Sequence, residues 1–205
     1  MKISLNHLKE YVEINVPAEE LCERMVMAGF EVESIEKQGE NLVNVVAAKI
    51  KEIKPHENSD HLQICQMDVG KEELVQIVTG AQNIKEGDLV PAALNDSYLP
   101  CGAHIMSGKL RGVESHGMLC SGEELCLTEA DYEGASVHGI LILKDEWETG
   151  TDMRTVLGLD DYIIDFKITA NRPDCQSIIG LAREVAAVLK KPFRMPDLSY
   201  TENGK

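Results

Sequence analysis

Apolar residues recur at helical spacing near both ends of the chain. The first such stretch follows Pro17 and stops before Gly29, which suits a left-handed helix end. The second follows Asp174, a candidate N-cap, and stops before Pro192. The two apolar faces consist of Ala18, Leu21, Cys22, Met25 and Val26, and of Ile178, Leu181, Ala182, Val185, Ala186 and Leu189. Strand-like stretches at 30–35 and 162–168 accompany them, so each end predicts both helix and strand.

The middle of the chain has a different pattern. Short apolar stretches are separated by turn signals, among them Gly70, Gly80, Gly102 and Gly108. Candidate strands are 43–53, 62–69, 74–78, 89–94, 105–113 and 140–143, and a short helix is predicted at 121–125. Five or six short strands in about 110 residues predict a small closed β-barrel.

The two ends are expected to form one domain, because a unit as short as residues 1–39 is marginal on its own. We therefore predict an α+β fold, in which residues 1–39 and 151–205 make a discontinuous α/β domain. Residues 40–150 would form an inserted all-β barrel. The chain from about residue 192, including the polar stretch 197–205, is expected to be a linker or a frayed end.

Composition favours a cytoplasmic globular protein. Among the 205 residues, 43% are hydrophobic, which excludes disordered and collagen-like chains. No apolar run approaches the roughly 20 residues that span a bilayer, and the start lacks the apolar core of a secretory signal. No membrane partner is therefore expected. The six cysteines form no CxxC pair and are expected to be reduced and mostly buried.

The net charge of −15 argues against a nonspecific nucleic-acid binder, because phosphate affinity comes largely from lysine and arginine. The acidity is concentrated in residues 40–150, which hold eight basic and nineteen acidic residues. Basic residues in this segment gather in two places, 49–54 and 109–111. If the two groups share a face, a local positive strip exists on an otherwise acidic body.

Three polar blocks fall in the predicted barrel and carry a resemblance. They are Asn58-Ser59-Asp60, Gly80-Ala81-x-Asn83 and Ser115-x-Gly117-Met118. In this order they resemble the tRNA-binding module with the oligonucleotide/oligosaccharide-binding (OB) fold, which occurs in several synthetases and in free-standing tRNA-binding proteins. The resemblance covers residues 40–150 and implies an OB-fold barrel there.

The flanks narrow the resemblance to one family. Their blocks are Met1-Lys2-Ile3-Ser4-Leu5-Asn6, Leu8-Lys9-Glu10-Tyr11-Val12, Ala28-Gly29-Phe30-Glu31-Val32-Glu33, Thr169-x-Asn171-Arg172-Pro173-Asp174-Cys175 and Gly180-Leu181-Ala182-Arg183-Glu184-Val185-Ala186-Ala187. These are similar to the N-terminal region of the bacterial phenylalanine–tRNA ligase beta subunit. One departure is His7, where the family usually places tryptophan.

The resemblance implies a part of a larger assembly. It implies an alpha-subunit partner, in a heterotetramer of two alpha and two beta subunits, and tRNA as a ligand. The family's editing site, anticodon-binding domain and Mg-binding positions lie beyond residue 205, and its aminoacylating site belongs to the alpha subunit. We therefore expect an N-terminal fragment that has no ligase activity alone and holds no cofactor, with ATP and Mg used elsewhere in the complex.

The residues themselves favour RNA contacts to phosphate and ribose over base stacking, since the middle segment offers only Tyr98, Tyr132 and Trp147 as aromatic groups. The candidate contact residues are Lys54, Asn58, Ser59, Lys109, Arg111 and Ser115. The same polar residues could instead hold turns, in which case the segment is a scaffold. A free-standing tRNA-binding protein and an interaction module without RNA affinity also remain open.

Other chemistry has less support from the sequence. His56, Asp60, His61 and His116 lack the spacing of a zinc site. Cys120 lies in an apolar run and is expected to be a buried thiol, not a nucleophile paired with His116. Asp174 and an Arg172–carboxylate pair are expected to be structural, so no catalytic residue and no metal site is predicted.

Overall fold

A computed structural model of the chain describes residues 1–201. Its helices are α1 Leu5–Tyr11, α2 Ala18–Met27, α3 Met153–Val156 and α4 Ile178–Leu189, and a 3-10 turn spans Pro173–Gln176. Its strands are β1 Lys2–Ser4, β2 Glu31–Lys37, β3 Val43–Pro55, β4 Gln63–Asp68, β5 Val75–Thr79, β6 Leu89–Tyr98, β7 His104–Ile105, β8 Gly108–Leu110, β9 Val113–Ser115, β10 Gly117–Leu119 and β11 Tyr162–Lys167. None of the helices in the described part is long and apolar enough to cross a membrane.

The chain divides into two compact units. Unit 1 consists of residues 1–38 and the chain from residue 161 onward, and unit 2 consists of residues 39–160. Unit 2 ends at residue 160, ten residues later than the predicted barrel. The reason is that the side chains of Met153 and Val156 are buried in the core of unit 2. The backbone of Thr151 also accepts a hydrogen bond from Ala47 on β3 (2.8 Å), which ties this segment to unit 2.

Unit 1 is a three-stranded antiparallel sheet in the order β1-β11-β2 with helices packed on it. Leu8, Leu21, Phe166 and Leu181 are fully buried in its core, so the predicted apolar faces of α2 and α4 point inward. Val26 is the exception, because half of its surface remains exposed. The N-cap of α4 is Ser177, whose hydroxyl accepts a hydrogen bond from the Gly180 amide (3.1 Å), and not Asp174, which lies in the 3-10 turn.

Unit 2 is a curled antiparallel sheet in the order β10-β6-β3-β4-β5, with β7 added to the end of β6. Both faces of its central strands are covered, since Val45 and Ala47 pack in one cluster and Ala48 and Ile50 in the other. Strand β3 carries register shifts at 43–45 and 50–52, and irregularities of this kind bend a strand. The result is a sheet-rich half-barrel of the kind expected for an OB-like fold.

Two predicted strands and one predicted helix differ in the structure. Residues 105–113 do not form one strand, because the chain turns back at 111–112 and makes the separate hairpin β8–β9. Residues 140–143 are held by single hydrogen bonds, such as Leu143 N to Leu89 O (2.8 Å), and are not a strand. Residues 121–125 form a turn. The predicted polar tail has neither helix nor strand at 197–201, and 202–205 lie outside the described residues.

Candidate nucleic-acid interface

The turn between β3 and β4 is organised by a buried histidine. His56 is only 3% exposed, and its backbone amide donates to the carbonyl of Leu62 (3.0 Å), which closes the turn. Its ring nitrogen Nδ1 accepts from the backbone amide of Asn58 (3.0 Å). Because Nδ1 accepts, the proton lies on Nε2, which donates to the carbonyl of Leu110 (3.2 Å). One imidazole therefore shapes the turn and holds it against the hairpin β8–β9.

That hairpin turns through Arg111 and Gly112, which both have positive φ angles, +48° and +92°. Leu110 pairs with Val113, so the loop has two residues and the conformation of a type I′ turn. Asparagine, aspartate or glycine is the usual first residue of such a loop, because other side chains crowd the backbone there. Arginine at this position is a costly choice for the fold alone.

The Arg111 guanidinium reaches back to the β3–β4 turn. Its Nη1 donates to the backbone carbonyl of Asn58 (3.4 Å), and within the described part of the chain it has no carboxylate partner. By contrast, Lys54 pairs with Glu52 (2.8 Å between Nζ and Oε1), and Lys109 pairs with Glu114 (3.3 Å). The structure therefore brings the predicted basic residues 54, 109 and 111 to one turn and hairpin, and neutralises two of them in part.

The remaining basic residues of the predicted strip lie further back along β3. Lys51 pairs with Asp68 of β4 (3.1 Å), and Lys49 is exposed. At about 3.3 Å per residue, Lys49 lies roughly 16 Å along the strand from Lys54. They extend the strip away from the hairpin and do not add to its centre.

Asn58 and Ser59 are placed in the turn itself. Asn58 is exposed, and Ser59 is half-buried with its hydroxyl accepting a weak hydrogen bond from the His61 amide (3.4 Å). Exposed Glu57 and Asp60 share the turn, so anionic side chains border the basic ones. The turn thus offers one amide and one hydroxyl at its surface, next to the Arg111 guanidinium of the hairpin, which bonds to the Asn58 carbonyl.

Ser115 is a correction to the predicted contact residues. It is 4% exposed, its hydroxyl accepts from the amide of Val78 (3.0 Å) and donates to the carbonyl of Gly117 (2.9 Å). The hydroxyl thereby joins β9 to β5 and is not available to a ligand. The remaining five candidate residues are those that can face RNA.

Two of the three polar blocks are structural. The side chain of Asn83 bonds to both backbone polar groups of Ile140. Its Nδ2 donates to the Ile140 carbonyl (2.8 Å), and its Oδ1 accepts from the Ile140 N–H (3.0 Å). Gly117 passes so close to β6 that a Cβ on it would lie 2.3 Å from the carbonyl oxygen of Ala93. The sequence did not reveal the roles of His56, which lies two residues before the first block, or of Asn83, which ends the second.

The described residues contain one cluster with metal-ligand chemistry, Asp174, Cys175 and Glu184. Arg172 occupies its centre, with Nη2 at 2.9 Å from Asp174 and 2.6 Å from Glu184. The guanidinium lowers the pKa of Asp174 to about 2, and burial raises the pKa of the Cys175 thiol to about 11. The cluster is therefore an ion-pair network of the kind predicted for Arg172.

Four of the six thiols are buried, Cys22, Cys65, Cys120 and Cys175, and none of the six is in a disulfide. Burial raises the pKa of Cys65 to about 11 and that of Cys120 to about 12. A protonated, buried thiol is a poor nucleophile, so Cys120 has the structural role that the sequence indicated.

Comparison with known proteins gives a family match and several sequence relatives. The family model described as "Putative tRNA binding domain" matches residues 45–152, more than half of the chain. The phenylalanine–tRNA ligase beta subunit of Clostridium acetobutylicum is 48% identical over 98% of the chain, and that of Clostridium tetani is 45% identical over all of it. In each case the chain covers 25% of the relative, so it spans about a quarter of the length of these curated proteins.

Similarity to solved structures is weaker. The C-terminal domain of Plasmodium vivax p43 is 21% identical, with a TM-score of 0.38 over 56% of this chain and 61% of that one. The sequence relationships are the stronger finding. The chain belongs to the tRNA-binding domain family and is a homologue of the phenylalanine–tRNA ligase beta subunit.

Proposed function

We propose that the chain acts within a phenylalanine–tRNA ligase beta subunit, where unit 2 contacts tRNA. Support comes from the family match over residues 45–152 and from relatives at 45–48% identity across nearly the whole chain. On this proposal unit 2 is an OB-fold barrel inserted into a discontinuous α/β domain formed by unit 1. It serves protein biosynthesis by helping to hold the substrate of a ligase.

The contact residues of this proposal are Lys54, Asn58, Ser59, Lys109 and Arg111. The observation that carries it is Arg111, whose guanidinium has no carboxylate partner among residues 1–201 and is held by Asn58 on a turn unfavourable to arginine. Strained backbone at an exposed charged residue points to selection for a role other than folding. Guanidinium groups bind phosphate in two-pronged geometry, and phosphate contacts position a protein on RNA without reading sequence.

The proposal includes a partner subunit, and it places the catalytic steps of the ligase outside this chain. An alpha subunit, in an assembly of two alpha and two beta chains, would supply the aminoacylating site together with the ATP and Mg that it uses. On this proposal the chain's own part is to bind tRNA and to assemble with the other subunits. No ligase activity is expected from it alone.

The test is a titration of fluorescently labelled tRNA with the chain, followed by anisotropy at low and near-physiological salt. We expect saturable binding that weakens with salt and falls several-fold in Lys54→Ala and Arg111→Ala. The matched control is Lys71→Ala, an exposed lysine in the turn after β4, at the opposite end of that strand. Absence of binding at low salt would reject direct contact and leave unit 2 as a scaffold or interaction module.

A further inference from the structure

A cavity of about 720 Å³ opens on unit 2. Its walls include Leu62, Leu110 and Met118, together with residues of the segments 78–81 and 136–140. Small-molecule sites commonly measure about 300–1,000 Å³ and combine apolar walls with a few polar groups. The cavity therefore has the size and the lining of a site for a flat organic ring.

The cavity adjoins the RNA-contact residues through two of its walls. Leu62 closes the β3–β4 turn by accepting the His56 amide (3.0 Å), and Leu110 accepts the His56 ring nitrogen (3.2 Å). Arg111 is the residue after Leu110. The unpaired guanidinium is thus one residue away from an apolar wall of the cavity.

The polar groups of the lining divide into occupied and available ones. Glu124 is occupied, because its carboxylate accepts from both the amide and the hydroxyl of Ser121 (2.7 and 2.8 Å). Glu123 and His138 are exposed, and within the described residues neither side chain has a hydrogen-bond partner, although the Glu123 backbone carbonyl accepts from the Cys126 amide (3.0 Å). A carboxylate can accept from the amino group of a base, and an imidazole can stack on its face.

We infer that this cavity receives the base of an unpaired RNA nucleotide whose phosphate is bound by Arg111. Charge complementarity favours a nucleotide, since the apolar walls suit the ring while the cation at the adjoining residue suits the phosphate. The inference rests on the proposed function, because it names the part of an RNA that unit 2 would hold. It also adds a base contact to the phosphate and ribose contacts that the sequence favoured, since a base held between apolar walls needs no aromatic residue to stack on.

The experiment compares two labelled hairpin RNAs of the same stem, one blunt and one with a short single-stranded extension. The variants are Gly80→Leu, which fills the cavity from a position where a Cβ meets only ordinary contacts (3.8 Å), and Val137→Asp at a 57% exposed position of the lining. Leu74→Asp is the matched control, because it places the same carboxylate at a half-exposed apolar residue outside the cavity. All are measured in the 205-residue chain.

We expect the unmodified chain to prefer the extended RNA, and both cavity variants to lose that preference by roughly tenfold, the effect typical of one base contact. Their binding of the blunt hairpin and that of Leu74→Asp should not change. If Gly80→Leu and Val137→Asp retain the preference, the cavity inference is wrong and a protein segment becomes the better occupant, while the proposed function stands. If neither hairpin binds the unmodified chain at low salt, the proposed function itself fails.

Discussion

At the scale of single residues, His56 has a structural role and Arg111 is the proposed RNA contact. His56 is buried and uses both ring nitrogens to join a turn to a hairpin. Arg111 lies on that hairpin, in a left-handed conformation that an arginine adopts only at a cost. The first residue therefore builds the surface, and the second supplies its free charge.

Replacing Arg111 by asparagine should stabilise the protein while weakening RNA binding. Asparagine tolerates the left-handed conformation, so the free energy of unfolding should rise by about 1 kcal/mol. The lost hydrogen bond to Asn58 is long (3.4 Å) and contributes little. Urea unfolding of the two proteins measures the difference. A loss of stability in Arg111→Asn would mean that the guanidinium is a structural group.

The Arg172 network predicts a pH dependence in unit 1. Because hydrogen bonds from Arg172 lower the pKa of Asp174 from 3.8 to about 2, the ion pair stabilises the fold above about pH 4. That contribution is lost as the pH falls from about 4 through about 2. A carboxyl-carbon NMR titration should find the low pKa, and Arg172→Gln should return it towards its ordinary value.

Arg183→Gln is the control for this titration. Arg183 lies over the ring of Phe193, 5.3 Å from its centroid, and it has no contact with Asp174. The pKa of Asp174 should therefore stay near 2 in that variant. An ordinary pKa for Asp174 in the unmodified chain would contradict the network.

At the scale of elements, close backbone approach decides which glycines matter. A Cβ on Gly117 would lie 2.3 Å from the carbonyl of Ala93, so Gly117→Ala should force β10 away from β6 and cost about 1–3 kcal/mol. Gly80→Ala is the matched comparison, since its Cβ would meet nothing nearer than 3.8 Å. Thermal unfolding should show a clear loss for the first and little change for the second. Equal effects would contradict the strand pairing.

Sequence patterns located the long elements and missed the short ones. The predicted strand 43–53 is β3 Val43–Pro55, and the predicted helix after Pro17 is α2 Ala18–Met27. The helix α1 was missed because its seven residues depend on tertiary burial of Leu5, Leu8 and Tyr11. The hairpin β8–β9 was missed because arginine is not an expected residue for its turn.

The candidate site, too, could be predicted only in part from the sequence. The blocks containing residues 58–60 and 115–118 were recognisable. The sequence could not show that the Ser115 hydroxyl points inward while Arg111, within the described residues, stays exposed without a carboxylate partner. That distinction depends on which strands meet, and Ser115 bonds to Val78 across a separation of 37 residues. Long-range pairing of this kind carries no local sequence signal.

At the scale of the whole molecule, the acidity is compatible with an RNA-binding role, because the net charge belongs to the whole chain while RNA binding needs only a local group of basic residues. The chain has a net charge of −15, and lysines 54 and 109 are each paired with a glutamate. Only a few phosphate contacts are then available, so the affinity should be modest and its salt dependence shallow. A tRNA-binding surface on unit 2 requires Arg111 to be one of these contacts.

The measurement that tests this most directly is the salt dependence of tRNA binding by the unmodified chain and by Arg111→Asn. We expect weaker binding by the variant at every salt concentration, and a slope of log K against log salt that is smaller in magnitude by about one. Identical affinities and slopes for two equally folded proteins would show that Arg111 does not contact phosphate, and would contradict the proposed surface.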